Sequence, residues 1–321
     1  MYEILKTLAD AQAGVVMRSQ AIQAGYQADD IDRLLKRGEW VSLRRGAYVE
    51  RDHLDAMDDV QKHRARIHAV MRSLQAPSVV SHVSAVVMHN LPVWGLDLDN
   101  VHVSRTDLHS PRTEAGVHHH AGEIKAGDVV QIDGLPVMSL PRTIIDTART
   151  VGFEPAVCVA DTAIALDPTA KEAALLRLNE MRDWQGSRNA GAVIEFADGR
   201  SESVGESRLR VLFRNNLMPQ PDLQVEFRTP AGIFVARSDF YFREQRTIGE
   251  FDGKQKYLKF VPEGQDPGEV VWREKRREDE LRRLGNEVVR VIWLDFDRPK
   301  DVVKRFHQAF QLAAQRPRRA A

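Results

Sequence analysis

Asp239, Glu250, Asp252 and Lys254 fall within one short stretch, RSDFYFREQRTIGEFDGKQKY, residues 237–257. If TIGEFDGKQKY is a strand, its period of two puts Glu250, Asp252, Lys254 and Lys256 on one face. In IFVARSDFYF, Val235, Arg237 and Asp239 share one face and Phe234, Ala236 and Phe240 the other. A reversal at FREQR returns the chain antiparallel and brings Asp239 beside Glu250 and Asp252. Carboxylates gathered at one point repel strongly when ionised unless a cation neutralises them. Oxygen-only ligands, without thiolate or imidazole, point to Mg2+ or Mn2+. Lys254 or Lys256 can orient or deprotonate a water while the metal polarises a phosphate. Glu206, on the preceding helix, adds a further ligand from the side. A charged strand pair at a solvent edge would carry the same letters. Against it, the acids sit inside hydrophobic strands, where an unpaired buried charge is costly.

The elements that must position these residues form the C-terminal third. The pattern predicts a helix over 203–216 and strands over 223–228, 232–242 and 246–254. A charged helix over 270–284, a strand EVVRVIWLD and a helix over 299–313 follow. This αβββαβα order describes a mixed sheet flanked by helices. Gly285 suits a helix stop and Pro299 a helix start. In WREKRREDELRRLG, Arg273, Lys275 and Arg276 are placed to track phosphates; the competing reading is a solvated helix face with i,i+4 pairs. Trp272 and Trp293 are expected in the core or cleft wall.

The first fifty residues predict three short helices and a hairpin. Ile4, Leu5 and Leu8 mark the first helix, MRSQAIQAGY the second and ADDIDRLLKRG the third, with Gly14, Gly25 and Gly38 as stops. EWVSLRRGAYV then reads as a two-stranded wing. This is the order of a winged helix-turn-helix, whose third helix enters the major groove. Arg33, Lys36 and Arg37 would face DNA, with Arg44 and Arg45 at the wing tip and Ser19 and Gln20 near the backbone. A small helical domain with a solvated basic face is the plainer alternative.

Residues 51–195 predict one amphipathic helix over LDAMDDVQKHRARIHAVMRSL and a buried small-residue helix over SVVSHVSAVVMHNLP, entered through Ser78 or Ser81. Short strands and three further helices follow. His118, His119 and His120 alternate across a strand, so at most two face one way. A surface or interface strand is expected there, not a metal site. A Gly/Ser/Asp-rich link begins at Ala197, and Ser201 and Ser203 supply helix caps.

At 321 residues, 43% apolar and 29% charged, the chain suits two or three domains of an ordinary globular protein. There is no run of eighteen apolar residues to cross a membrane, and MYEILKTLAD lacks the apolar stretch of an export signal. The single cysteine, Cys158, makes no internal disulfide, which with the rest suits the cytoplasm. Net charge is zero, so nucleic acid would have to be met by local patches.

Asp239, followed after a gap by EFDGK, resembles the PD-(D/E)XK nuclease superfamily. SDFYFREQRTIGEFDGK, EKRREDELRRLGNEVVRVIW and SESVGESRLRVLF look closest to its very-short-patch-repair mismatch endonuclease branch. The stretches GVVMRSQAIQAGYQADDIDRLLKRGEWVSLRRGAYV and GLPVMSLPRTIIDTAR resemble the AbiEi-type antitoxin and transcriptional regulator family. Departures remain: Ser238 replaces the usual proline before the first Asp, Glu250-x-Asp252 competes with Asp252-x-Lys254, and KQKY holds no histidine. The expected fold is α+β: a winged helix-turn-helix over 1–50, an AbiEi-like α/β middle domain over 51–195, and a restriction-endonuclease-like αβββαβ domain over 196–321. The resemblance implies Mg2+- or Mn2+-dependent cleavage of double-stranded DNA, through Asp239, Glu250, Asp252, Lys254 and Lys256 with Glu206 supporting the metal. The alternative is a transcriptional regulator or type IV antitoxin with an inactive nuclease-like domain and a cognate toxin as partner.

Overall fold

Helix stops and starts in the sequence divide the N-terminal module finely. In the computed structural model, which describes residues 2–253 and 267–316 apart from the side chains of 267–271 and 273–275, it begins with α1 (Glu3–Asp10), β1 (Val16–Met17), α2 (Arg18–Gln23) and α3 (Ala28–Lys36). The antiparallel pair β2 (Trp40–Arg44) and β3 (Ala47–Glu50) follows, turning at Gly46 with φ +76°. Strand β1, which periodicity did not reveal in two residues, pairs with β3 to complete a three-stranded sheet. Leu5, Ala9, Ala21, Ile31, Trp40 and Tyr48 form one core beneath it. Helical spacing on α1 and α3 and the alternation around Trp40 converge on that core.

The α+β fold class holds for the chain as a whole, which divides into two compact units, Met1–Ala197 and Asp198–Ala321. The rest of the first unit contains α4 (Arg51–Ala56), α5 (Asp59–Ser73), β4 (Val79–Val80), α6 (His82–Met88), β5 (Val101–Arg105), β6 (Arg112–Glu114), β7 (Val117–Ala121), β8 (Val129–Ile132) and β9 (Leu135–Met138). Helices α7 (Leu140–Thr150), α8 (Phe153–Leu166), α9 (Ala170–Glu180) and α10 (Ser187–Phe196) close it. The strands make a mixed six-stranded sheet in the order β6-β7-β5-β4-β9-β8.

Three expectations change here. The single helix over 54–74 is two, because the Asp58 side chain accepts from the Gln61 backbone N–H at 2.8 Å and starts α5 afresh. Helix α10 lies just before the Gly/Ser/Asp-rich link, where no element was expected; Gly186, in the left-handed region at φ +83°, precedes it. The histidine strand β7 is not a surface strand. It lies between β5 and β6, with His119 buried.

The second unit follows the expected order: α11 (Val204–Asn215), β10 (Asp222–Arg228), β11 (Phe234–Phe242), β12 (Thr247–Asp252), α12 (Pro267–Arg283), β13 (Glu287–Ile292) and α13 (Pro299–Gln315). The sheet runs β10-β11-β12-β13, antiparallel at its first two pairings and parallel between β12 and β13. The parallel step requires a crossover, which α12 supplies. Phe213, Phe240, Phe242 and Phe306 pack edge-on or tilted at the centre, with centroids 5.0–5.6 Å apart. Among the described residues no helix is long and apolar enough to cross a membrane.

Candidate active site

Strand parity decides which side chains can meet. Phe240 and Phe242 enter the aromatic core, so Asp239 and Tyr241 face the other way. On that face Tyr241, Ile248, Leu281 and Val288 form a second cluster between the sheet and α12. Glu250 shares the Ile248 face of β12, as alternation predicts. The β11–β12 register runs from Phe242↔Thr247 to Phe240↔Gly249. Just past it the Asp239 carboxylate acts as a ladder acceptor, Oδ2 taking the Phe251 backbone N–H at 2.7 Å.

Glu206 approaches from α11. Ser203 caps that helix, and the Glu206 carboxylate accepts from the Glu202 N–H at 3.0 Å, Ser203 Oγ at 2.7 Å and Gln224 Nε2 at 3.0 Å. Close approach needs Gly205: a Cβ there would fall inside the Phe251 ring. Gln224 holds a left-handed backbone, φ +54°, between the pairs Leu223↔Phe240 and Val225↔Ser238. A non-glycine residue there stores about 1 kcal/mol or more. The strained residue is the one whose amide braces Glu206.

Burial raises the Glu206 carboxyl, with the Glu202 N–H and Ser203 hydroxyl pulling it back. Burial likewise pushes Asp239 up to about 6; the Phe251 N–H opposes this, and the charges of Glu206 and Glu202 add to it. Glu206 and Asp239 therefore share one electrostatic field at a half-buried point of the sheet.

Glu250 has a different setting. It is buried, with Arg277 Nη2 at 2.7 Å from Oε1 and Arg290 Nε at 3.6 Å from Oε2. Its partner across the parallel ladder is Arg290, which also reaches Glu278 at 3.4 Å. Asp252 is half-buried at the end of β12. Lys254 and Lys256 lie outside the described residues, as do the side chains of Arg273 and Lys275. Arg276 is exposed and lies over the Trp272 ring at 4.7 Å. Trp272 is itself 58% exposed and so not in the core. Among the described residues no three His, Cys, Asp or Glu side chains gather closely enough to hold a metal ion. The acids joined by their field, Glu206 and Asp239, are hard oxygen donors of the type Mg2+ and Mn2+ take.

Sequence reasoning missed Gln224, Arg277 and Arg290. Nothing in DLQVEFR marks Gln224 as strained. In a run as rich in arginine as REKRREDELRR, no letter says which guanidinium turns inward.

In the N-terminal module Arg33, Lys36 and Arg37 are exposed on and just after the last turn of α3. Arg33 is tied to the Asp30 carboxylate and the Asp29 carbonyl, and Arg37 lies 3.6 Å from Glu39. Arg45 is exposed at the hairpin turn. Arg44 is not presented as expected: it is half-buried, with Nη1 enclosed and lacking a hydrogen-bond partner among the described residues, and its charge adds to the burial that lowers the basicity of His119. Gln20 is turned to its own module, accepting the Met17 N–H at 2.9 Å.

No protein-family model matches the chain. It is similar to two uncharacterized proteins of Mycobacterium tuberculosis, MT2308 of strain CDC 1551 / Oshkosh and Rv2248 of strain ATCC 25618 / H37Rv. Each is 24% identical over 215 residues, which is 66% of this chain and 74% of theirs. The crystal structure of the RV2827C protein from Mycobacterium tuberculosis is similar at 13% identity and a TM-score of 0.39, over 71% of this chain and 87% of that one.

Proposed function

We propose that the chain is a cytoplasmic DNA-binding protein whose second unit hydrolyses phosphodiester bonds as a Mg2+- or Mn2+-dependent endonuclease, in the manner of the PD-(D/E)XK nucleases it resembles. The observation that supports this most is the meeting of Asp239 with Glu206 where the β11–β12 ladder ends. Repelling carboxylates, Glu206 buried and Asp239 half-buried, are a place a divalent cation would stabilise. Asp239 would hold the cation with Glu206 supporting it from α11, and Asp252 would have to draw in from the end of β12 to complete the shell. When bound, it would polarise a phosphate oxygen and acidify a water. Arg277 and Arg290 hold Glu250 on the same face and set a positive border for a phosphate. Lys254 and Lys256 are the lysines available by sequence to orient the attacking water. Arg33, Lys36, Arg37 and Arg45 would place the first unit on duplex DNA, in the winged helix-turn-helix manner of the AbiEi-type regulators.

A second reading is favoured by the Glu250 ion pairs. A carboxylate already neutralised by two guanidinium groups needs no metal, which suits a transcriptional regulator or antitoxin whose nuclease-like unit binds DNA or a cognate toxin without cutting.

Incubating purified protein with supercoiled and mismatched plasmid in Mg2+ or Mn2+, beside Asp239→Ala and Asp252→Ala, separates the two. Metal-dependent nicking lost in both variants supports the endonuclease. Folded protein that shifts DNA without nicking it overturns that reading in favour of the regulator.

A further inference from the structure

The histidines of β7 belong to a second site, far removed in chemistry from the acids of the second unit. His118 and His120 share one face of the strand, their rings stacked 4.3 Å apart. His82 stacks on His120 at 3.4 Å, and His102 Nδ1 lies 2.9 Å from His120 Nε2. His82 is buried and holds a left-handed backbone at φ +49°, strain of about 1 kcal/mol or more that the surrounding packing offsets. Burial, with repulsion from neighbouring imidazoles and arginines, lowers His102 to about 4 and His120 to about 2, and keeps His82 well below the ordinary range. At neutral pH these rings offer N–H groups and flat surfaces without charge.

The stack forms one wall of a cavity of about 460 Å3 whose other walls include Arg142, Arg149 and Trp184. That volume suits a small molecule. Arg142 and Arg149 stand two turns apart on α7 with Asp146 between them, at 3.0 Å from Arg142 and 3.5 Å from Arg149. Asp146 is thus shared by the two guanidinium groups. Arg142 is also fixed by Asp128 at 2.8 Å, whereas Arg149 gives its Nε to the Gln185 carbonyl at 2.8 Å and, among the described residues, meets a carboxylate only at the long contact to Asp146. Both guanidinium groups lie over the Trp184 ring, 5.3 and 4.9 Å from its centroid.

The wall is built to close in this way. A Cβ on Gly122 would come 2.5 Å from the Trp184 ring, and one on Gly186 would strike the Arg149 carbonyl. Only glycine at both positions lets the tryptophan turn seal against α7. Among the described residues the imidazoles do not gather as metal ligands. A cavity with one loosely paired guanidinium, N–H donors and two aromatic walls suits an anion carried on a flat ring.

We propose that this cavity binds a small phosphate monoester bearing an aromatic ring. Its phosphate meets Arg149 and the His118 edge, and its ring lies along the imidazole stack or the indole. The site is independent of DNA contact and of the acidic cluster.

The test is isothermal titration calorimetry of the full chain in EDTA with phenyl phosphate and, separately, inorganic phosphate. Phenyl phosphate should bind at least tenfold more tightly than inorganic phosphate, and Arg149→Gln, in protein that circular dichroism shows to be folded, should weaken it at least tenfold. His118→Gln, at the half-buried edge of the stack, should weaken it about threefold or more, and it serves as the deciding variant if Arg149→Gln does not fold. Absence of binding heat for both probes, equal affinity for the two, or full-affinity binding by the folded variants would each overturn the proposal. So would tight Zn2+ binding that His118→Gln abolishes, which would make the stack a metal site.

Discussion

Asp239→Asn keeps the shape of the side chain and its carbonyl acceptor for the Phe251 N–H while removing the charge. In the folded protein the Asp239 carboxyl is raised from 3.8 to about 6, first by burial and then by the fields of Glu206 and Glu202. The sign follows from linkage. Between those two values the folded state holds a proton that the unfolded state has released, so stability falls as pH rises through the window. Above about pH 6 the full penalty of the buried carboxylate is present. At about 1.4 kcal/mol per tenfold change in proton affinity, it amounts to about 3 kcal/mol at most, and residual solvent around a half-buried group brings it nearer 1–3 kcal/mol. Asparagine has no such penalty. Urea unfolding in EDTA should therefore show Asp239→Asn gaining about 1–3 kcal/mol relative to the native chain between pH 4 and pH 8. Comparing the two proteins at each pH cancels every other titration they share. A stability difference that is flat with pH, or that turns against asparagine as pH rises, would refute the argument that burial and like charge hold this carboxyl high.

Other perturbations probe the surrounding structure. Gly205→Ala drives a methyl into the Phe251 ring and should cost about 1–3 kcal/mol in urea unfolding; a change under about 0.5 kcal/mol would mean α11 can move off β12 freely. Arg277→Ala removes the 2.7 Å partner of buried Glu250 and should destabilise by about 1–3 kcal/mol, with Glu250→Gln recovering part of the loss in the double variant. In DNA mobility-shift titrations at several salt concentrations, Lys36→Ala and Arg45→Ala should each weaken binding and lower the salt slope by about 1. Arg44→Ala, whose guanidinium is turned inward, should leave that slope unchanged.

The order of elements was legible in the sequence because it rests on local rules. Helical spacing, glycine stops and the alternation of Trp40 and of Phe240 need no knowledge of distant contacts. Parity alone put Asp239 on the face opposite Phe240, and the short turn at 243–246 returned β12 beside it. The capping of α11 by Ser203 was likewise local. Where the local signal was itself mixed, reading failed: Asp58 starts a helix inside an apparently continuous one, and β1 is too short for any period to register.

What tertiary structure decided is which charges meet. The letters EFDGK offer Glu250 and Asp252 as equals, yet the parallel register sets Arg290 opposite Glu250, and the crossover helix lowers Arg277 onto it. The strain at Gln224 and at His82 arises where the packed chain over-determines a backbone angle that neither residue prefers. His118 and His120 were predictable as neighbours on one face. Their stack with His82 and His102 required three segments far apart in the chain to converge. Charge and ring contacts are short-ranged in a folded protein and depend on positions in space, which spacing along the chain determines only within a single element.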